Sequence, residues 1–303
     1  MYKSLFANKK NWYKGNLHTH TTLSDGQKDP QEVIDIYQQK GYDFLALTDH
    51  RKPGKAGQYK NMLLLPGAEW DYGNNGKYAV YHILAIGTES DLDLVKYYDQ
   101  GVLPCGDEIK PQEIIDCINN AGGLAFLAHP TWSVMNPQEM YDMHGLAGTE
   151  IYNSVSTTPW NAERADASFY FDMWASKGLF MPCIAADDAH FYQGEETRSF
   201  IMVNADELTQ DSLMEALKNG DFYASQGPKF EEIQYDDRTV QITCSKDVKR
   251  IVVYSNSVWV DERVFDDPKG KAVYTLAPQD RYIRIELIDK DGNKAWCKPF
   301  SVK

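Results

Sequence analysis

Seven short apolar runs punctuate the first two-thirds of the chain, and their brevity restricts the fold more than any other feature. They lie at 15–20 (GNLHTH), 44–48 (FLALT), 62–67 (MLLLPG), 78–87 (YAVYHILAIG), 123–128 (GLAFLA), 149–153 (TEIYN) and 181–186 (MPCIAA). Several are too short for a helix and are flanked by glycine or proline, so they read as buried strands. Helical patterns sit between some of them. Asp29 and Pro30 open one as N-cap and first helical residue, with Val33, Ile34 and Tyr37 on one face and Gly41 as the stop. Pro111 opens another, carrying Ile114, Ile115 and Ile118 and ending at Gly122. A third is expected from Trp160 to Lys177 with Phe169, Met173 and Trp174 buried and Gly178 as the stop, and a fourth from Asp211 to Asn219, closed by Gly220. Strand alternating with helix predicts a parallel α/β arrangement.

The pattern changes near Gln226-Gly227-Pro228. Beyond it, apolar residues alternate with period two in VQITCS, RIVVYSNSVWV, AVYTLA, RYIRIELID and AWCKPFSV. Turn signals intervene at Asp236-Asp237, Asp267-Pro268-Lys269-Gly270 and Asp291-Gly292. Such spacing predicts a small antiparallel β-sandwich over 226–303, following an α/β domain over 1–225.

The net charge of −13 is carried by the first 225 residues, which hold 17 Lys+Arg against 31 Asp+Glu. A duplex nucleic acid needs a basic face, so no duplex partner is expected. Acidity suits a protein that holds divalent cations. The five cysteines, Cys105, Cys117, Cys183, Cys244 and Cys297, are scattered and form no CxxC pair, which points to reduced thiols. No apolar run approaches the roughly 18 residues that cross a bilayer, so no membrane partner is expected. The first twelve residues hold no signal-like apolar stretch, and a cytoplasmic location is the expectation.

The histidines carry the chemistry. Six of the seven lie in or just beyond an expected strand, and none follows residue 190. His18-Thr-His20 has the spacing that puts two imidazoles on one face of a strand. Asp188-Ala-His190 repeats that geometry with a carboxylate. His50 ends FLALTDH, Glu69 follows LLLPGAE, His82 lies in YHILAIG, His129 ends GLAFLAHP, and Asp25 sits in a Ser-Asp-Gly turn. Each element alone occurs by accident. Together, at the carboxyl ends of strands that share one barrel mouth, so many ionisable groups are costly to bury without metal. Imidazole and carboxylate without thiolate suit Zn, Mn, Fe or Ni. His144 matches no pattern and is assigned to the surface.

At this point HTHTTLSDG, ALTDH, GAEW, the downstream YH, AHP and DDAH resemble the successive motifs of the PHP (polymerase and histidinol phosphatase) family of metal-dependent hydrolases. The resemblance covers about residues 15–225, including LMEALKNGDFYASQGP, and the strand around DKDGNKAWCKPF resembles the β-rich tail of the CehA/McbA-like branch. It implies a distorted (β/α)7 TIM-like barrel and two or three divalent ions. His18, His20, Glu69 and Asp188 would hold the first ion. Glu69 would bridge to a second, with His82 and His129. Asp25, His50 and His190 would hold a third, at a position where some relatives have histidine in place of Asp25.

The leading expectation is a phosphoesterase in which two or three cations clamp a small phosphate ester and lower the pKa of a bridging water that attacks phosphorus. Glu69, Asp188 and His190 are the expected catalytic set, and Arg198 and Arg51 the candidate phosphate-binding residues. Two alternatives remain: a metal-dependent carboxyl or carbamate ester or amide hydrolase, and a non-catalytic metal-binding module. Specificity is expected from the loops 52–61, 88–110 and 131–144, with Trp132 and Trp160 as candidate pocket walls.

Overall fold

Capping chemistry sets the helices where the sequence puts its Asp-Pro, Thr and glycine signals. The computed structural model describes residues 2–72, 80–89, 92, 110–161, 163–260 and 262–303; the side chains of Tyr72 and Trp160 and most of the 88–110 loop lie outside that description. In the helix Pro30–Gln39, the Asp29 side chain accepts from the Glu32 backbone N–H, and the Glu32 side chain accepts from that of Asp29. This reciprocal cap satisfies two amides that the first turn leaves open. Val33, Ile34 and Tyr37 are buried. The helix Pro111–Asn120 buries Ile114, Ile115 and Ile118. Thr209 caps the helix Gln210–Asn219, and Gly220 ends it in the left-handed conformation.

The third helix is shorter than expected. It runs from Ser168 to Ser176, and the residues before it form two short 3₁₀ turns at Val155–Thr157 and Pro159–Asn161. Phe171, Trp174 and Ala175, at i, i+3 and i+4, share the buried face, and Phe169, two residues before Phe171, falls on the far side and is 71% exposed.

The described strands form three hydrogen-bonded sheets. In one, Gly67–Tyr72, Tyr81–Ile86, Leu124–Leu127, Leu146–Asn153 and Cys183–Ala186 lie in that order. Tyr81–Ile86 is antiparallel to both neighbours, whereas the last three strands are parallel. The all-parallel expectation therefore fails at this strand. Its link from Tyr72 is shorter than the dozen or more residues that a parallel crossover requires.

In the second sheet, Asn11–Asn16, Phe44–Ala46 and Met62–Leu65 pair in parallel. Phe200–Ala205 adds antiparallel to Asn11–Asn16, and Phe222–Ser225 adds beyond it. Two isolated parallel bridges, Thr19 to Ala189 and His50 to Glu69, tie the first sheet to the second. Both bridges fall among the histidine motifs.

Beyond residue 226 the described chain is strands and turns, with period-two burial such as that of Lys271–Thr275. It is not set apart from what precedes it. Phe222–Ser225 pairs with Lys294–Trp296, so the second sheet continues into Tyr282–Asp289 and Val248–Tyr254. The third sheet pairs Phe230–Tyr235 with both Thr239–Cys244 and the N-terminal Lys3–Ser4. One apolar cluster joins Phe230, Ile242 and Ile285 of the tail to Phe6, Val33 and Tyr37. No helix among the described residues is long and apolar enough to cross a membrane.

Candidate metal centre

The strand Asn11–Asn16 hands its extended backbone on to the first two histidines. The Asp188 N–H donates to the His18 carbonyl at 2.9 Å and the His20 N–H to the Ala189 carbonyl at 3.0 Å. This pairing sets the two-residue motifs side by side, and both send side chains to the same place. The His18 and His20 Nε2 atoms lie 3.2 Å apart, and both rings are buried.

Two further carboxylates pin the loops. Asp49 accepts from the Thr21 and Ser24 backbone N–H groups and from both hydroxyls, which fixes the turn carrying Asp25. A Cβ at Gly26 would lie 2.6 Å from the His20 backbone, so this turn requires glycine. Asp187 accepts from the Thr197, Arg198 and Ser199 N–H groups and from the Tyr37 hydroxyl. Burial pushes the Asp187 carboxyl up to about 7, against those donors. Asp188 and His129 have positive φ, the kind of backbone strain that collects at functional sites.

Glu69 is the hub. Its Oε2 lies 3.2 Å from His18 Nε2, 3.0 Å from His20 Nε2 and 3.4 Å from His50 Nδ1. Its Oε1 lies 2.8 Å from His82 Nδ1 and 3.4 Å from His129 Nε2. The two oxygens of one buried carboxylate thus face two separate groups of imidazoles. Asp188 Oδ1 lies 3.1 Å from both His18 and His20 Nε2 and 3.4 Å from His190 Nδ1. Asp25 stands at the rim, 54% exposed, 3.4 Å from His190 Nε2 and 3.7 Å from His50 Nε2.

The fold brings all nine candidate ligands into this cluster. Glu150, which sequence reasoning did not single out, lies behind it. Its Oε1 lies 2.6 Å from His18 Nδ1, and its Oε2 accepts from the His129 backbone N–H and the Asn153 amide, each at 2.8 Å. With its proton on Nδ1 toward Glu150, His18 turns the Nε2 lone pair inward. A glutamate in the apolar run TEIYN was the available signal, since a buried carboxylate needs partners. Asp71, also buried, lies 3.6 Å from His50 Nδ1 and from Arg51 Nη1.

Electrostatics follow from this crowding. Burial lowers His18, but Asp188, Glu69 and Glu150 outweigh it and hold the imidazole well above its usual range. Burial likewise opposes His190, while Asp188 and Asp25 raise it to about 9. Burial raises Glu69, and the surrounding histidines overcome it, holding the carboxyl well below the usual range. His82 is lowered, mainly by burial.

The donor set fits divalent metal ions. His18, His20, Glu69 and Asp188 offer ligand atoms within 4.8 Å of one another, as do His20, Asp25, His50 and His190, and again His50, Glu69 and His82. Atoms about 2.1 Å from one tetrahedral ion lie roughly 3–3.5 Å apart, close to the 3.0–3.2 Å spacing of the first set. Asp188 Oδ1 is buried without a hydrogen bond, as a ligand oxygen aimed at an ion would be.

The cluster opens into a cavity of about 290 Å³, lined also by Trp132, Val155, Ser156, Asn161 and Phe191. Neither candidate phosphate-binding arginine lines it. Arg198 is exposed, because Asp187 holds the backbone of residues 197–199 in a turn. Arg51 Nη1 stands beside Asp71. His144 is exposed, as assigned.

No family model matches this sequence. An uncharacterized protein of Methanocaldococcus jannaschii is 24% identical over 157 residues, which cover 46% of this chain and 82% of that protein. Among solved structures, an amidohydrolase from Chromobacterium violaceum is 18% identical with a TM-score of 0.43, covering 60% of this chain and 89% of that one. A two-domain protein from Bacteroides vulgatus, described as containing a predicted PHP-like metal-dependent phosphoesterase, is 18% identical with a TM-score of 0.53 over 95% of both chains. The chain therefore shares a mixed α/β fold with that protein along nearly its whole length.

Proposed function

We propose that this chain is a metal-dependent phosphoesterase of the PHP superfamily, in the CehA/McbA-like branch, acting on a small phosphate ester. In this reading residues 1–225 are a distorted seven-stranded barrel, ringed through the Thr19–Ala189 and His50–Glu69 bridges, and residues 226–303 are a β-sandwich built onto it. The observation that carries the proposal is the division of labour at Glu69, whose two oxygens face different imidazole groups. A carboxylate so placed is suited to bridge two cations held by His18, His20 and Asp188 on one side and by His82 and His129 on the other. A third ion would take Asp25, His50 and His190.

Bound divalent cations supply Lewis acidity toward a phosphoryl oxygen and toward water. The chain's own residues do the rest. Glu69 and Asp188 would supply the negative charge that holds the cations together. Glu150 keeps the His18 proton on Nδ1, away from the cluster. Trp132 bounds one side of the cavity.

The test is activity of the metal-loaded protein against a phosphate monoester, a phosphodiester and a carboxyl ester in parallel, with metal content measured on the same samples. Monoester hydrolysis that disappears on chelation and returns with metal is expected. Cleavage of the carboxyl ester alone would overturn the phosphoesterase reading in favour of carbonyl chemistry. Bound metal with no hydrolysis of any ester would make the protein a binding module.

A further inference from the structure

We infer that the substrate's non-reacting part is a flat, uncharged aromatic group laid against Trp132, an assignment of substrate class that rests on the phosphoesterase reading. The cavity has no lysine or arginine among its described lining residues. A second anionic group on the substrate would find no cationic side chain among them.

The wall's polar groups are also already engaged. The Trp132 Nε1–H donates to Asn161 Oδ1 at 3.0 Å. The Asn161 amide donates to the Val155 carbonyl and to Thr158 Oγ1, each at 3.0 Å. The Ser156 hydroxyl donates to Asn153 Oδ1 at 2.8 Å. Every hydrogen that Trp132, Asn161 and Ser156 can donate from their side chains is therefore used within the protein. A ligand rich in acceptors, such as a sugar phosphate or a nucleoside polyphosphate, would lose hydrogen bonds to water on entering and recover none from these three side chains.

What the wall does offer is a fixed aromatic surface. Asn161 holds the indole by its N–H, and the ring meets His129 edge to face at 4.8 Å and His82 at 5.7 Å. Phe191 and Val155 complete an apolar lining. A ring held in one orientation recognises another ring with little loss of side-chain freedom on binding. The cavity's 290 Å³ corresponds to roughly ten water molecules at about 30 Å³ each, which suits a phosphoryl group with one or two rings.

The experiment uses the full chain loaded with Mn²⁺ and has a binding arm and a kinetic arm. In the first, calorimetry compares phenylphosphonate with methylphosphonate, neither of which is hydrolysed. Phenylphosphonate is expected to bind about tenfold more tightly to the wild type. Trp132→Ala should remove most of that preference, and Trp132→Phe should keep most of it, with bound metal unchanged in both. In the second arm, kcat/KM for phenyl phosphate should fall about five- to tenfold in Trp132→Ala, while that for methyl phosphate stays within about twofold. Asn161→Ala, which frees the indole, should give a smaller loss of the same sign.

Equal affinity of the wild type for the two phosphonates would overturn the inference, as would an equal loss on both esters in Trp132→Ala; neither result touches the phosphoesterase reading. A clear phenylphosphonate preference without hydrolysis of either ester would sustain the aromatic wall and overturn the phosphoesterase reading.

Discussion

Replacing Glu150 by glutamine tests whether the cluster is organised around metal. Three donors converge on this carboxylate: His18 Nδ1 on Oε1 at 2.6 Å, and the His129 N–H and Asn153 amide on Oε2 at 2.8 Å. Glutamine has one acceptor oxygen. Facing that oxygen toward His18 would set the new NH₂ against two donors; facing it toward His129 and Asn153 sets the NH₂ against only one. The second arrangement wins on count, and it places an N–H opposite His18 Nδ1. His18 then has to accept at Nδ1 and carry its proton on Nε2, the atom that faces Glu69 and Asp188. A protonated Nε2 cannot ligate. Loss of such a supporting partner lowers metal affinity about 10- to 100-fold, or about 1.4–2.8 kcal/mol at 1.4 kcal/mol per tenfold. Calorimetric titration of Mn²⁺ or Zn²⁺ into metal-stripped Glu150→Gln and wild type reads this directly, and ¹⁵N shifts of His18 report the tautomer. Wild-type affinity and stoichiometry in Glu150→Gln, with the proton shifted to Nε2, would refute the reasoning.

Four further outcomes are expected. Glu69→Gln should reduce bound metal per chain and the rate on a phosphate monoester more than any other single change, and Asp25→Asn at the exposed rim should reduce them less; the reverse order would remove Glu69 as the bridge. Chelation should lower the thermal midpoint as well as the rate, since a ligand at 100 times its Kd adds about 2.7 kcal/mol to stability. Arg284 is buried and grips Asp172 with Nε and Nη2, at 2.9 and 2.7 Å, while Nη1 donates to Glu286 at 2.6 Å. Arg284→Ala should cost about 3–5 kcal/mol in urea unfolding, because two carboxylates lose their shared cation. Asp280 is buried, and although burial raises its carboxyl, donors from Ser255, Tyr274, Ala277 and Ser257 hold it below the usual range. Its folded pKa is thus depressed, so its contribution is present above the unfolded value of about 3.9 and lost as pH falls through the folded one. Asp280→Asn should be less stable at pH 7 by about 2 kcal/mol and should show a weaker loss of stability on acidification than the wild type.

The histidine cluster was legible because strand geometry is short-range: two-residue spacing in HTH and DAH fixes which side chains share a face before anything is known of the sheet. Helix starts were legible for the same reason, as at Asp29-Pro30, where cap and first turn lie within four residues. What depended on distant partners was not. The orientation of Tyr81–Ile86 follows from the short link before it and from its neighbours in the sheet, and its apolar composition fits either direction. Arg198 looked like a phosphate grip by its position after the DxH motif, but Asp187 gathers three successive backbone amides there and turns the chain at the surface. Glu150 resembled an ordinary strand residue until His18, more than a hundred positions earlier, arrived beside it. The third helix was drawn too long: its expected start at Trp160 falls in a 3₁₀ turn, and Asp166 bridges to the distant Tyr152 before the helix opens at Ser168.

The pairing of Phe222–Ser225 with Lys294–Trp296 makes the change of pattern at residue 226 a poor place to cut. A chain ended at 225 would lose the ladder partner of Ala224 and Ser225 and bare an unpaired strand edge, which invites edge-to-edge aggregation. It would also lose Trp296, which is fully buried and stacks on Tyr152 at 5.5 Å, and the Arg284 that Asp172 holds. The reciprocal fragment would lack Lys3–Ser4, the strand that flanks Phe230–Tyr235. The two halves that differ in sequence grammar are thus interlocked at both termini, and heat or denaturant should melt them as a single cooperative unit.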